Sequence, residues 1–258
     1  MVRSLRFLLL LVAVPVGLYA GLCLLLFATQ RSQIYFPVRD SAVPGATPLR
    51  VAVTDAELKV WAVERPGGAA LLYFGGNAED VGASIGHFAA LLPEHSLYFV
   101  NYRGYGGSSG SPSEVALCSD AVALYDLLRP RHAKISVVGR SLGSGVAVRL
   151  ASEREVSRLA LVTPFDSLVA VARDHFGWLP VGLLMLDRFE SATHAPLVSA
   201  TTLVVIAEAD EVIPRARSDA LIGAFRSVPR VVVLEGARHN DLDMDPRYLQ
   251  ELAMFLGG

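Results

Sequence analysis

Charge is scarce in this chain of 258 residues: 19% are Asp, Glu, Lys or Arg, and the two signs nearly cancel to a net −2. Without a basic excess or a local basic cluster there is no electrostatic footprint for nucleic acid, and that partner class is excluded. Cysteine is scarcer still. Cys23 and Cys118 are too few for a disulfide framework and too far apart for a C-x-x-C metal site. No H-E-x-x-H or similar spacing of His, Asp and Glu occurs, so nucleophilic catalysis is favoured over metal-assisted hydrolysis, and no metal or other cofactor is assigned. Gly-Lys-Ser/Thr is missing, which excludes a P-loop. No period of about 20 to 50 residues recurs, which excludes a solenoid or propeller.

Apolar residues, by contrast, make up 52% of the chain, and part of that excess lies at the N-terminus. Residues 7–28 contain no charge. As a helix such a stretch rises about 33 Å, enough to cross the hydrocarbon core of a bilayer. A cleaved signal peptide has a shorter apolar region, about 7 to 15 residues, and a small-x-small cleavage site, neither of which fits. The segment therefore reads as a membrane anchor over residues 1–30, with the remainder, 31–258, as one folded domain. Ala20-Gly21-Leu22-Cys23 faintly resembles a lipoprotein cleavage site, but Leu22 is bulky where a small residue is expected. Arg3 and Arg6 favour a cytoplasmic N-terminus, against Arg31 and Arg39 at the other end, which puts the downstream domain on the non-cytoplasmic side.

Beyond a proline-punctuated linker, residues 50–54 and 58–64 read as an antiparallel hairpin turning near Asp55-Ala56. From Ala69 onward, short apolar runs at 70–74, 97–101, 135–138, 159–162, 203–207 and 231–234 alternate with helix-sized segments. That alternation predicts an α/β domain with a mostly parallel central sheet flanked by helices. About forty residues separate the fourth of these strands from the fifth, more than one crossover helix needs, and a small helical cap is expected at about 165–198. Phe176, Trp178, Leu179, Val181, Leu183, Leu184, Met185 and Leu186 make that cap apolar. It can serve as a wall for an acyl chain, as ordinary packing over the sheet, or as a membrane-surface contact.

The densest chemical signal is Gly139-Arg140-Ser141-Leu142-Gly143, a G-x-S-x-G between the β-branched run Ile135, Val137, Val138 and the helically spaced Leu142, Val146, Leu150. A strand-to-helix turn this tight presents the serine hydroxyl at the edge of the sheet as a nucleophile, with the amide of Leu142 and the positive end of the new helix behind it. A second oxyanion donor is expected where the first parallel strand ends, in Phe74-Gly75-Gly76-Asn77-Ala78-Glu79, at the amide of Asn77. Asn101-Tyr102-Arg103-Gly104-Tyr105-Gly106-Gly107-Ser108-Ser109-Gly110 follows a strand too, but Ser109 stands where a dinucleotide-binding loop needs its last glycine. It reads as a structural loop beside the site.

A serine hydroxyl needs a base to take its proton and a carboxylate to orient that base. Ala207-Glu208-Ala209-Asp210-Glu211 follows a buried-type strand, and Asp210 is the candidate acid, with Glu208, Glu211 and Asp166 as competitors. His239, in the loop after the last strand, is the candidate base. His87, His95, His132, His175 and His194 fall on helices, connections or the cap and receive no role.

These motifs, in this order and together with Thr163-Pro164-Phe165-Asp166-Ser167-Leu168, resemble the α/β-hydrolase superfamily over residues 34–258. They are most similar to its single-pass, membrane-anchored serine-hydrolase branch, which includes depalmitoylase-like enzymes. The resemblance implies an α/β-hydrolase fold, a triad of Ser141, Asp210 and His239, and oxyanion amides from Asn77 and Leu142. Relatives usually carry His-Gly where this chain has Gly75-Gly76, a departure that bears on how the oxyanion loop is supported. The expected activity is hydrolysis of a carboxylic ester or thioester through an acyl-enzyme on Ser141, acting on a small or lipid-like acyl ester or an acylated protein at a membrane. The alternatives are a peptidase of the same fold and a noncatalytic binding module that kept it. Because every candidate catalytic residue lies downstream, a chain beginning near Ser32 is expected to hydrolyse a soluble ester as well as the whole protein does.

Overall fold

A computed structural model describes residues 2–39 and 41–258, with the side chains of residues 2–10 outside the described set; Arg3 and Arg6, invoked above for orientation, are among these. The chain begins with one helix, α1 (Val2–Ile34), and Leu11–Ile34 of it is long and apolar enough to cross a membrane. Its apolar side chains from Leu11 to Phe27 are largely exposed. The boundary expected at residue 30 falls inside this helix, which continues without interruption to Ile34.

The hairpin follows as β1 (Thr47–Val53) and β2 (Ala56–Val63), turning at Asp55 with φ 58°. The parallel strands are β3 (Ala69–Phe74), β4 (Ser96–Val100), β5 (Lys134–Arg140), β6 (Arg158–Val162), β7 (Thr201–Ala207) and β8 (Arg230–Leu234). They join the hairpin in one eight-stranded sheet of order β1-β2-β4-β3-β5-β6-β7-β8. Only the β1–β2 and β2–β4 pairings are antiparallel. The central strands read as continuous apolar runs because helices cover both faces. One face of the sheet packs on α3 (Glu114–Leu128) and α4 (Leu142–Glu153), the other on α2 (Val81–Leu91) and α9 (Pro246–Gly257). With residues such as Leu71, Tyr73, Phe99, Val137 and Leu161 almost fully buried, each contributing about 1.5 to 3 kcal/mol from burial, the sheet is a rigid platform.

The long connection after β6 forms the cap: α5 (Leu168–His175), α6 (Val181–Leu184) and α7 (Ser191–His194), ahead of β7. After β7 comes α8 (Arg215–Ala224). The cap is tied to α1 at several points. Tyr19 Oη donates to Trp178 O at 2.8 Å, Gln30 donates to Leu184 O at 3.0 Å and accepts from Leu186 N at 2.7 Å, and Arg31 Nε pairs with the buried Asp187 at 3.0 Å. Nor is the segment after α1 a free linker. Tyr35 is buried, and Val38 O accepts from Gly106 N at 3.0 Å, so the chain is pinned to the Asn101–Gly110 loop.

Candidate active site

At the end of β5 the chain enters α4 through Ser141, whose φ of 49° and ψ of −115° lie outside the regions an L-residue ordinarily occupies. A left-handed φ costs on the order of 1 to 3 kcal/mol and persists only where the surroundings enforce it. Here the enforcement is close packing. A Cβ at Gly143 would come within 2.1 Å of Phe74 O, and one at Gly139 within 2.5 Å of Gly143 O. Side chains at either position would push the new helix off the sheet. Ser141 N donates to Val162 O at 2.9 Å, and Ser141 O accepts from Ser144 N at 2.9 Å and Ser144 Oγ at 2.6 Å. The hydroxyl is left pointing from the sheet edge, and the amide of Leu142 opens α4, ahead of the point where helical hydrogen bonding begins.

His239 arrives from the loop after β8 and faces it: Nε2 lies 3.0 Å from Ser141 Oγ. Its Nδ1 lies 2.8 and 3.0 Å from the two carboxylate oxygens of Asp210, beyond the end of β7. Both side chains are largely buried, 8% and 5% exposed. Asp210 Oδ1 also accepts from Val212 N at 2.8 Å and Ile213 N at 2.7 Å, which fixes the carboxylate plane against the imidazole. The competing acids are engaged elsewhere. Glu208 accepts from Gly236 N at 2.9 Å, Glu211 from His239 N at 3.5 Å, and Asp166 pairs with Arg217 at 3.3 Å. Burial pushes the Asp166 carboxyl up, against the pull of the Arg217 guanidinium.

The loop after β3 lies against the nucleophile, so that a Cβ on Gly76 would sit 3.6 Å from Ser141 Cβ. Side chains hold it there. Glu79 accepts from Gly76 N at 2.6 Å and from Tyr73 Oη at 2.7 Å, while Tyr102 Oη donates to Gly75 O at 2.8 Å. Asn77 is held by its side chain. Nδ2 donates to Ile34 O at 2.6 Å, and Oδ1 accepts from Phe36 N at 2.9 Å, Tyr105 Oη at 2.9 Å and Ala78 N at 3.1 Å. The end of α1 is thus a structural part of this loop. A chain beginning near Ser32 keeps Ile34 and Phe36 but loses most of the helix that ends at Ile34.

Arg140, the variable residue of G-x-S-x-G, bridges the two halves. It pairs with Asp243 at 3.1 Å, lies 4.0 Å from Glu79 and donates to His239 O at 3.4 Å. Neither Glu79 nor Arg140 was among the expected site residues, although Glu79 stands only three positions from the glycine amide it holds.

Ser141, Asn77 and Leu142 line one cleft of about 300 Å³ whose other walls are mainly apolar, from Phe165, Leu168, Val171, Phe176, Met185 and Ile213. Gln33, Ile34 and His175 line it as well, and no motif or spacing marks any of them. His175 Nε2 lies 2.8 Å from Val212 O. His132 contacts Tyr98 Oη at 2.9 Å and His194 contacts Arg149 at 3.1 Å, both away from the cleft. Among the described residues no three His, Cys, Asp or Glu side chains converge as a metal site. A hydroxyl, an imidazole and a carboxylate in series, beside amides at a helix start, can perform acyl transfer.

Comparison with known proteins gives the family. No protein-family model matches the chain. The uncharacterized protein Rv2307c of Mycobacterium tuberculosis is 34% identical over 268 residues, 94% of this chain and 95% of that protein. Alpha/beta hydrolase domain-containing protein 17C of Homo sapiens is 32% identical over 195 residues, 72% of this chain and 57% of that protein. The chain belongs to the α/β-hydrolase superfamily. Its alignment with the 17C protein agrees with the branch to which the motifs pointed. Among solved structures, the Pyrococcus furiosus esterase Pf2001 superposes on this hydrolase with a TM-score of 0.70 at 17% identity, over 86% of this chain and 98% of that one. A membrane phospholipase A, a bacterial virulence factor, superposes with a TM-score of 0.64 at 18% identity, over 100% and 99%. These structures share the fold.

Proposed function

We propose that this hydrolase cleaves carboxylic ester or thioester bonds by acyl transfer through Ser141, at a membrane to which α1 holds it. The observation that carries the reading is the series Ser141 Oγ to His239 Nε2 at 3.0 Å and His239 Nδ1 to Asp210 at 2.8 Å. Ser141 Oγ attacks the acyl carbon, and His239 takes the hydroxyl proton. Negative charge gathers on the carbonyl oxygen, where the amides of Leu142 and Asn77 stabilise it; one such donor is worth about 10²- to 10³-fold in turnover. The bond to the alkoxide or thiolate breaks, and the leaving group departs with the proton from His239. Water then attacks the acyl-enzyme, giving its proton to His239, and the acid is released as Ser141 Oγ leaves and takes that proton back. Asp210 holds the imidazole in the tautomer this requires and stabilises its charged form.

An acyl substrate is favoured by the cleft itself. Its walls are apolar and include no carboxylate to receive a substrate amine, which argues for esters over peptides. A lipid-like ester or the acyl group of a lipidated protein fits these walls. The apolar helix supports retention of α1 as an anchor, and the hydrolase domain is put on the non-cytoplasmic side by Arg3 and Arg6 before the apolar stretch, against Arg31 and Arg39 after it. Labelling the full-length protein with a fluorophosphonate and assaying chromogenic esters and thioesters of graded chain length tests the reading. Modification of Ser141 with turnover of these substrates is expected. Turnover that survives complete modification of Ser141 contradicts it.

A further inference from the structure

The catalytic cleft does not end at the cap. A second hollow of about 280 Å³ lies between α1 and the cap, lined by Leu22 and Leu26 of the helix and by Trp178, Leu179, Val181 and Leu184 of the cap. Gln33, Ile34, Ala172, Phe176 and Met185 line both hollows, so a partition about one side chain thick divides the groove from the nucleophile. Met185, unbranched and readily repacked, is the member of that partition best suited to move.

The groove offers hydrocarbon. Its polar members are Gln30 and Gln33, and both are engaged within the protein. Gln30 Nε2 donates to Phe27 O at 2.8 Å and Leu184 O at 3.0 Å, and its Oε1 accepts from Leu186 N. Gln33 Nε2 donates to Thr29 Oγ1 at 2.9 Å. An alkyl chain entering the groove therefore strands no donor of Gln30, and Gln33 is exposed to solvent.

Position decides where such a chain comes from. The bond from Tyr19 Oη to Trp178 O sets one edge of the cap against the apolar helix fifteen residues before Ile34, about 22 Å along its axis. Arg31 and Asp187 mark the polar end. Around the groove, Trp178, Leu183 and Leu186 stand 60%, 86% and 55% exposed, as do many of the apolar side chains of α1. A cap that reaches this far along a membrane-spanning helix has its groove mouth at the depth of lipid tails.

We infer that the groove between α1 and the cap is an acyl-chain site that opens to the bilayer, so that a membrane-embedded acyl substrate reaches Ser141 laterally and never crosses water. The inference rests on the serine-hydrolase reading and adds to it the source and path of the substrate. Its occupant is the long acyl chain of the substrate, because five residues line both the groove and the acyl cleft and only that partition of side chains separates the two.

The test uses the full-length protein in lipid vesicles and a hexadecyl fluorophosphonate with a diazirine at the chain terminus. Ser141 Oγ bonds to phosphorus, fluoride leaves, and the hydroxyl proton passes to His239. Illumination should then join the terminus to Leu22, Leu26 or the cap near Trp178. An adduct on Ser141 whose terminus crosslinks elsewhere in the domain, or to a second copy of the chain, overturns the groove and leaves the hydrolase reading standing. Absence of any adduct on Ser141 overturns both. A second measurement guards against misfolding. Leu184→Trp fills the groove without touching the cleft, and should lower kcat/KM for a hexadecanoyl ester by about tenfold or more. A butanoyl ester should be hydrolysed at an unchanged rate. Equal loss on both esters, or loss on neither, contradicts the proposal.

Discussion

Ser141, Asp210 and His239 stand just beyond the ends of β5, β7 and β8, whereas Asn77 is held by segments that start at Ile34 and finish at Tyr105. The first group is positioned by the sheet. Parallel pairing fixes the strand ends relative to one another, and the contacts that strain Ser141 come from within β3, β5 and α4. The oxyanion side is assembled from the end of α1, a post-helix segment and a glycine-rich loop, each contributing hydrogen bonds of about 1 kcal/mol. The nucleophile side should therefore tolerate loss of the anchor, and the oxyanion side should not.

Removing the nucleophile gives the largest effect. Ser141→Ala should lower turnover by about 10⁶-fold while leaving thermal unfolding unchanged, and adding His239→Ala should cost little more, because the two act as a unit. A further large loss in the double variant breaks the assignment of both to one step. Asp210→Asn comes next, with an expected loss of about 10⁴-fold in kcat, since the amide imposes the wrong tautomer on His239. Asp166→Asn should keep most of the activity, because Asp166 pairs with Arg217 away from the imidazole. Reversal of these two effects would move the acid to the loop after β6.

The comparison itself is sharpened by a chain beginning at Ser32, which lacks Gln30 and Arg31 and leaves Ile34 without a helix to end. On a short soluble ester in detergent its kcat should fall by about tenfold to a hundredfold, the scale of a misplaced oxyanion donor. Fluorophosphonate should still modify Ser141 in the truncated protein. Full activity would show that Ile34 and Phe36 keep their hold on Asn77 without the rest of α1. The smallest effect is expected of Tyr105→Phe, which removes one hydrogen bond to Asn77 and should lower kcat by roughly threefold to tenfold.

The same division explains what could be read in advance. The glycines of G-x-S-x-G announce the elbow because the atoms they must avoid are supplied by the neighbouring strand and helix, a local arrangement with a short motif. The sheet was legible for a similar reason, since β-branched and apolar runs of strand length mark buried parallel strands wherever they fall. The linker expected over residues 34–38 and 43–48 is packed instead, because proline and glycine forecast the absence of regular structure and not the absence of packing. Tyr35 is buried, and Phe36 donates to Asn77 across forty-one positions. His175, Gln33 and Ile34 reach the cleft only through the docking of the cap and α1, for which no period or motif exists. Glu79 and Arg140 were within reach of a closer reading, since each adjoins a motif already recognised.

The most direct test is to quench the full-length hydrolase during turnover of a slowly deacylating ester and locate the acyl group by peptide mass spectrometry. Covalent catalysis places it on Ser141, with accumulation lost in Ser141→Ala. Acyl label on another residue, or hydrolysis at full rate without a covalent intermediate and undiminished in Ser141→Ala, would contradict it.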